Sequence, residues 1–302
     1  MINEYVHKLM ENLPDNITNR TKPIKIDLIL GGGAFNGSYI LGALYFFKEL
    51  ERKNYVKIKR ISTCSISSIL ALLYLTDNLD KANELYFDII KDFKNKGNLS
   101  KLFEIKNLFN KYITDDVCSR LLKKKLYICY NDITKCTKYV SNKYQNIDDL
   151  FEIITRSCFV PFIIDFQPCY KDKYIDGIIP YFFKFNKNNN KRIYLDVYTL
   201  DKLVYSINIR NEQNNYHRLF EGMLDIHMFF IKQCNTTMCS NLDNWSAYNY
   251  ARYYIYIVVE KIILYFIGFI STLKSTLLSD HYDKLKPIIE KVIKFLLTTF
   301  CF

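Results

Sequence analysis

The sequence predicts an α/β fold, a mostly parallel sheet with helices on both faces and a helical C-terminal extension. Two observations carry this. Residues 24–75 hold two successive units of apolar strand, turn of small residues and apolar helix, the order of a parallel sheet covered by helices. Strand-like runs then alternate with helical periodicity as far as about residue 200, after which the signals are mainly helical.

In the first unit Ile24, Ile26, Leu28 and Leu30 alternate with other residues, as in a strand. Gly31, Gly32 and Gly33 let the chain turn, and a helix is expected over 38–50, where Gly37 and Gly42 permit close packing. In the second unit residues 56–63 are strand-like, Cys64-Ser65-Ile66-Ser67 is the turn, and 68–75 begins a helix. Apolar residues at three- and four-residue intervals predict an amphipathic helix over 77–93, followed by a lysine-rich loop over 91–101. Helices are expected at 102–109 and 114–125, and a strand at 126–131, with one further strand within 137–146. A helix at 147–157 stops ahead of Pro161, which favours extended backbone at Val160. Residues 162–168 form an irregular apolar loop, Asp176-Gly177 a turn at a strand end, 184–192 a solvated loop, and 193–200 a strand. In the tail, 253–259 and 262–273 are apolar but separated by Glu260-Lys261. This predicts a buried helix in preference to a membrane span, which wants about 20 uninterrupted apolar residues.

Composition narrows the function. The chain has 302 residues and 49% hydrophobic content, enough for a real core. Its net charge of +11 suits anionic surfaces, but there is no recognition-helix or finger pattern, so nucleic acid is not expected as a partner. Nine cysteines in no framework spacing fit a reducing compartment, and with four histidines neither a metal nor a cofactor is expected. The first residues carry acidic groups and no apolar core, so no signal peptide is expected, and an intracellular, cytosolic or membrane-associated location follows.

Ser65 at the apex of a strand–turn–helix has the form of a nucleophile elbow, which lifts a hydroxyl out of the sheet beside the N–H groups of a helix start. The glycine turn of the neighbouring strand could add N–H donors. Taken singly, Ser65 reads as a helix N-cap, Asp176 as a turn residue and the glycines as a phosphate cradle. The last reading lacks an acidic ribose reader after the second strand, and no G-K-S/T is present.

With these pieces placed, residues 25–200 resemble the patatin-like phospholipase family. Gly32-Gly33-Ala34-Phe35-Asn36-Gly37 stands at its oxyanion loop, Thr63-Cys64-Ser65-Ile66-Ser67 at its G-x-S-x-G elbow, and Asp176-Gly177-Ile178 at its acidic turn. The runs 155–161 and 126–134 look like its helix end before proline and its central strand. Composition and the loop's form are similar to members from large DNA viruses. The resemblance implies a three-layer fold with a lead-in over 1–23, a catalytic domain over 24–215 and a helical region over 216–302. It further implies a lipid acyl hydrolase of the phospholipase A or lipase type, a serine esterase with a Ser65–Asp176 dyad. The oxyanion would lie on the amides of Gly32, Gly33 and Ala34, with Cys64, Ile66, Gly37 and Gly177 supporting elbow and turn. The implied partners are a lipid substrate and, peripherally, a membrane. Phe35, Ile66, Phe162 and Phe166 are candidates for an acyl channel, though plain core residues come first for all four.

The chain departs from the family at Ala34, Asn36, Thr63, Ser67 and Ile178. Side chains at the elbow glycine positions predict backbone strain of about 1–3 kcal/mol where φ is unfavourable, with β-branched Thr63 the harder to place. Two alternatives stay open. One is a Ser–Asp–His triad using His217, His227 or His281. The other is a catalytically impaired protein of the same fold that binds lipid or membrane.

Overall fold

The structure is a computed structural model. It describes residues 2–301 except 110–112, 117, 119–121, 185–189, 200, 201, 203, 211, 213, 277 and 278; of 204, 275, 276, 279–286, 300 and 301 it describes the backbone alone. The expected helix at 114–125 and loop at 184–192 lie partly outside the described residues.

Seven strands form one mixed, mostly parallel sheet: β1 (Ile24–Leu30), β2 (Val56–Cys64), β3 (Leu126–Asp132), β4 (Thr137–Ser141), β5 (Tyr174–Asp176), β6 (Lys191–Leu195) and β7 (Cys239–Asn241). The order is β4-β3-β2-β1-β6-β7, and β5 pairs with β3 off this path. The four inner strands are parallel, while β4, β5 and β7 are antiparallel to their neighbours. The helices are α1 (Ile2–Glu11), α2 (Asp15–Thr18), α3 (Gly37–Arg52), α4 (Ile66–Leu75), α5 (Lys81–Lys96), α6 (Ile105–Phe109), α7 (Ile147–Cys158), α8 (Tyr216–Lys232), α9 (Ala247–Thr276) and α10 (Ser279–Cys301).

The period of two along each strand decides the layers. Ile26, Leu28, Leu30, Ile61, Ile128, Ile193 and Leu195 enter the main core with α1, α3, α4, α7 and α8. Ile29, Tyr127 and Tyr194 face the other way and meet Phe182, Phe183, Leu242 and Trp245. This second face also holds α9, through Tyr253 against Phe182 and an ion pair from Arg252 to Asp196.

The tail joins both layers. It supplies the edge strand β7, and α8 lies so close to α3 that a Cβ on Gly42 would fall 1.9 Å from Leu219 O, and one on Gly222 2.0 Å from Tyr39 O. Backbone cannot yield as a side-chain tip can. Gly42→Ala is therefore expected to cost about 1–3 kcal/mol in denaturant unfolding.

Several boundaries differ from expectation. α5 runs to Lys96 and ends on left-handed Gly97 (φ 69°), so most of the expected lysine-rich loop is helix. β6 stops at Leu195, because the Asp196 carboxylate accepts the Tyr198 N–H (2.9 Å) and turns the chain. The expected helix at 102–109 begins as a 3₁₀ turn over Ser100–Glu104. The largest correction is in the tail. α9 is one unbroken helix across Glu260-Lys261, and most of it is exposed rather than buried.

Candidate active site

β2 delivers its last residue, Cys64, beside Cys129 of β3, and the chain then turns sharply at Ser65 (φ 56°, ψ −140°) into α4. Where β2 leaves, β5 takes over the same edge of β3: Tyr130 pairs with Asp176. The acid thus occupies the rung after the residue preceding the serine. The end of α7 fastens both. Ser157 O accepts N–H groups from Ser65 (3.1 Å) and Gly177 (3.3 Å), and Phe159 O accepts that of Asp176 (2.8 Å). Gly177 is required here, because a Cβ would lie 2.3 Å from Cys129 O and 3.0 Å from Cys64 Cβ.

Thr63 and Ser67 carry no left-handed φ. Thr63 Oγ1 donates to Tyr127 O (3.1 Å) and receives the Ser68 hydroxyl (3.1 Å). Ser67 Oγ accepts the Cys64 N–H (3.1 Å) and donates to Cys64 O (2.7 Å). The two side chains therefore brace the elbow, contrary to the expected strain. Left-handed backbone falls instead on Ser65 itself, Ala34 (φ 48°) and β-branched Ile178 (φ 52°). Ser65 stands at the N-cap position of α4 and makes no side-chain cap bond there.

Asp176 is buried, and its Oδ1 accepts the Ile178 N–H (2.7 Å). Its pKa is pushed up to about 6, chiefly by desolvation, with hydrogen bonding from Ser65 and from Ile178 N–H drawing it back. Asp176 Oδ2 has no hydrogen-bond partner at full geometry.

The glycine loop lies alongside. Gly33 has φ 133°, which glycine alone tolerates, and a Cβ there would press 2.6 Å from Val197. The amides of Gly32, Gly33 and Ala34 enter no backbone hydrogen bond among the described residues, whereas that of Gly31 bonds Leu195 O (2.9 Å). They are available to an anion. Gly37 gives α3 room against α4, with Ile66 3.0 Å from a would-be Cβ.

An apolar cavity of about 100 Å³ opens beside Ser65, lined among others by Ala34, Phe35, Ile66, Leu70 and Val160. Phe35 and Ile66 are in its wall, against the core reading that came first for them, and Phe35 also belongs to a small apolar cluster with Phe93. Phe162 does not line the cavity, packing instead under α9 with Ile133 and Leu264, and Phe166 is not in its wall.

The histidines stand apart from the dyad. His217 is exposed, 3.8 Å from Glu212, and His227 is buried edge-on against Phe46 (5.7 Å). The side chain of His281 lies outside the described residues. Among the described residues no group of three or more His, Cys, Asp or Glu could hold a metal ion.

The sequence reading missed three contributors. Tyr198, just past β6, brings its hydroxyl within 2.5 Å of a would-be Cβ on Gly32, while Ser65 Cβ lies 3.1 Å from the same point. Desolvation, then Cys64 and Asp176, push the phenol's pKa well up, so it stays a neutral donor at the glycine edge. Asn131 Nδ2 donates to Asp176 O (2.9 Å) and to Glu260 Oε1 of α9 (3.1 Å), which in turn pairs with Lys138 (2.7 Å). Arg218 of α8, fully buried, donates to Asn36 Oδ1 (2.9 Å) and pairs with Glu212 (2.8 Å). Asn36 donates to Lys202 O (2.8 Å) and Val197 O (3.3 Å). A cation thus stands under the loop, held on the side-chain oxygen of Asn36. A lone arginine in the apolar run YHRLFEGMLDIHMFF was the available signal.

No family model matches the chain, and no curated protein matches it.

Proposed function

We propose that this chain is a lipid acyl hydrolase of patatin-like type, acting on acyl esters through a Ser65–Asp176 dyad. The observation that carries the reading is the shared edge of β3, which sets a buried carboxylate of raised pKa next to a serine on a strained elbow. The free amides and the apolar cavity add to it.

In this mechanism Asp176 takes the Ser65 proton as Oγ attacks the ester carbonyl. The tetrahedral oxyanion settles on the amides of Gly32, Gly33 and Ala34, whose bonds are made strongest in the transition state. Asp176 passes its proton to the leaving alcohol, and the acyl group remains on Ser65. Asp176 then deprotonates a water, which attacks the acyl carbon. The fatty acid departs and the proton returns to Ser65. The cavity would take the acyl chain.

A fluorophosphonate probe is expected to label Ser65 and to leave Ser65→Ala unlabelled, with hydrolysis of a soluble short-chain ester lost in parallel. The base must be ionised to act, so kcat/KM should climb about tenfold per pH unit below its pKa of about 6 and level off above it. Labelling at another residue, or a rate that falls as pH rises through 6, overturns the dyad. A lipid-binding protein without turnover is the second reading, favoured by the unpartnered Asp176 Oδ2. It predicts an unlabelled protein that still takes up a fatty acid.

A further inference from the structure

α9 is turned inside out. Its polar residues face the protein: Arg252 pairs with Asp196, Glu260 with Lys138 and Asn131, and Lys274 with Asp172 and Gln167. Its large apolar residues face outward. Ile262 is 61% exposed, Tyr265 65% and Phe269 62%, and Tyr254, Ile255, Val258 and Phe266 are exposed on the same side. A helix packed on a water-soluble protein is expected to show the reverse. Lys261 is the one charge on this outward stripe among the described residues, and exposed Lys135 flanks it on the turn that receives Lys261 (through Cys136 O), with Lys171, paired to Glu152, on the turn that receives Lys274 (through Asp172).

We propose that the outward face of α9 is a bilayer-docking surface, lying flat on an anionic membrane, with Asp176 joined to its inner face through Asn131. Four features select this occupant. The stripe is rich in tyrosine and phenylalanine, which suit the zone between headgroups and acyl chains. The flanking lysines and the net charge of +11 complement anionic headgroups. Spanning the bilayer would strip Arg252, Glu260 and Lys274 of their partners, although by length and composition the helix could cross it. Pairing two copies face to face about the stripe's centre would bring Lys261 against its own counterpart. The link to the site is direct, since Glu260 and Asp176 O are held by the same Asn131 amide. The choice of lipid rests on the acyl-hydrolase reading, but docking itself does not need turnover.

The test uses the full chain carrying Ser65→Ala, so that loss of chemistry and loss of docking are read apart. Flotation with phosphatidylcholine vesicles containing phosphatidylglycerol should carry the protein up, and neutral vesicles should carry at least tenfold less. Alkaline carbonate should release it. Ile262→Asp with Phe266→Asp should lower flotation at least tenfold. A conservative variant guards against misfolding: Phe266→Trp in a Trp245→Phe background should be quenched by bromine-labelled acyl chains. Absence of flotation, flotation untouched by the double substitution, or no quenching overturns the proposal. So does retention after carbonate, which would mark a spanning helix, or a dimer that the same two substitutions dissociate.

Discussion

Asp176→Asn is expected to lower turnover of a soluble ester by about 10²–10⁴-fold, the range for removing a positioned general base. The substitution keeps the shape of a buried side chain and the acceptor for the Ile178 N–H. It removes only the capacity to take the Ser65 proton. The fold should hold or gain slightly, because a carboxylate with a pKa of about 6 is ionised at neutral pH against the preference of its surroundings. Stability and activity should therefore move in opposite senses, which loss of structure cannot mimic. A rate within twofold of wild type would remove Asp176 from the chemistry. The pH profile supplies an independent check, since the rise through 6 should vanish with the carboxylate.

Arg218→Met is expected to cost about 3–5 kcal/mol in denaturant unfolding, the penalty for leaving a buried charge without its partner. The charge left behind is Glu212, whose carboxylate is 5% exposed and pairs with Arg218 at 2.8 Å. Adding Glu212→Gln should recover most of the loss, because the stranded charge then disappears. The double variant also separates stability from positioning. Asn36 would keep its bonds to Val197 O and Lys202 O but lose the guanidinium that fixes its carbonyl oxygen. A folded double variant with reduced ester turnover would show that Arg218 positions the glycine loop. Full activity would leave it a purely structural residue.

What was legible in the sequence was local. The alternation of β1, the glycine turn, the Ser65 elbow and the stop of α7 before Pro161 each follow from neighbouring residues, and each is present. What was not legible was pairing at a distance. β5 has three residues, too few for a periodic signal, and its partner β3 lies more than forty positions away. Tyr198 and Arg218 meet the glycine loop only through tertiary packing. Thr63 looked costly because its φ could not be read from its identity, and extended backbone tolerates a β-branched side chain without penalty. Glu260-Lys261 counted as an interruption of the apolar run for a related reason. Hydropathy counts a residue without asking which side it faces, and Glu260 turns toward Lys138 and Asn131.

The handover from β2 to β5 along β3 has a mechanical consequence. One strand serves as the ruler for both members of the pair: Cys129 sets the place of the serine's neighbour and Tyr130 the place of the aspartate. Any sliding or breathing of β3 along its axis carries both by the same amount, so the error is common to them and cancels in their separation. Proton transfer needs that separation held to a fraction of an ångström. For the proposed dyad, that separation is referred twice to a single strand.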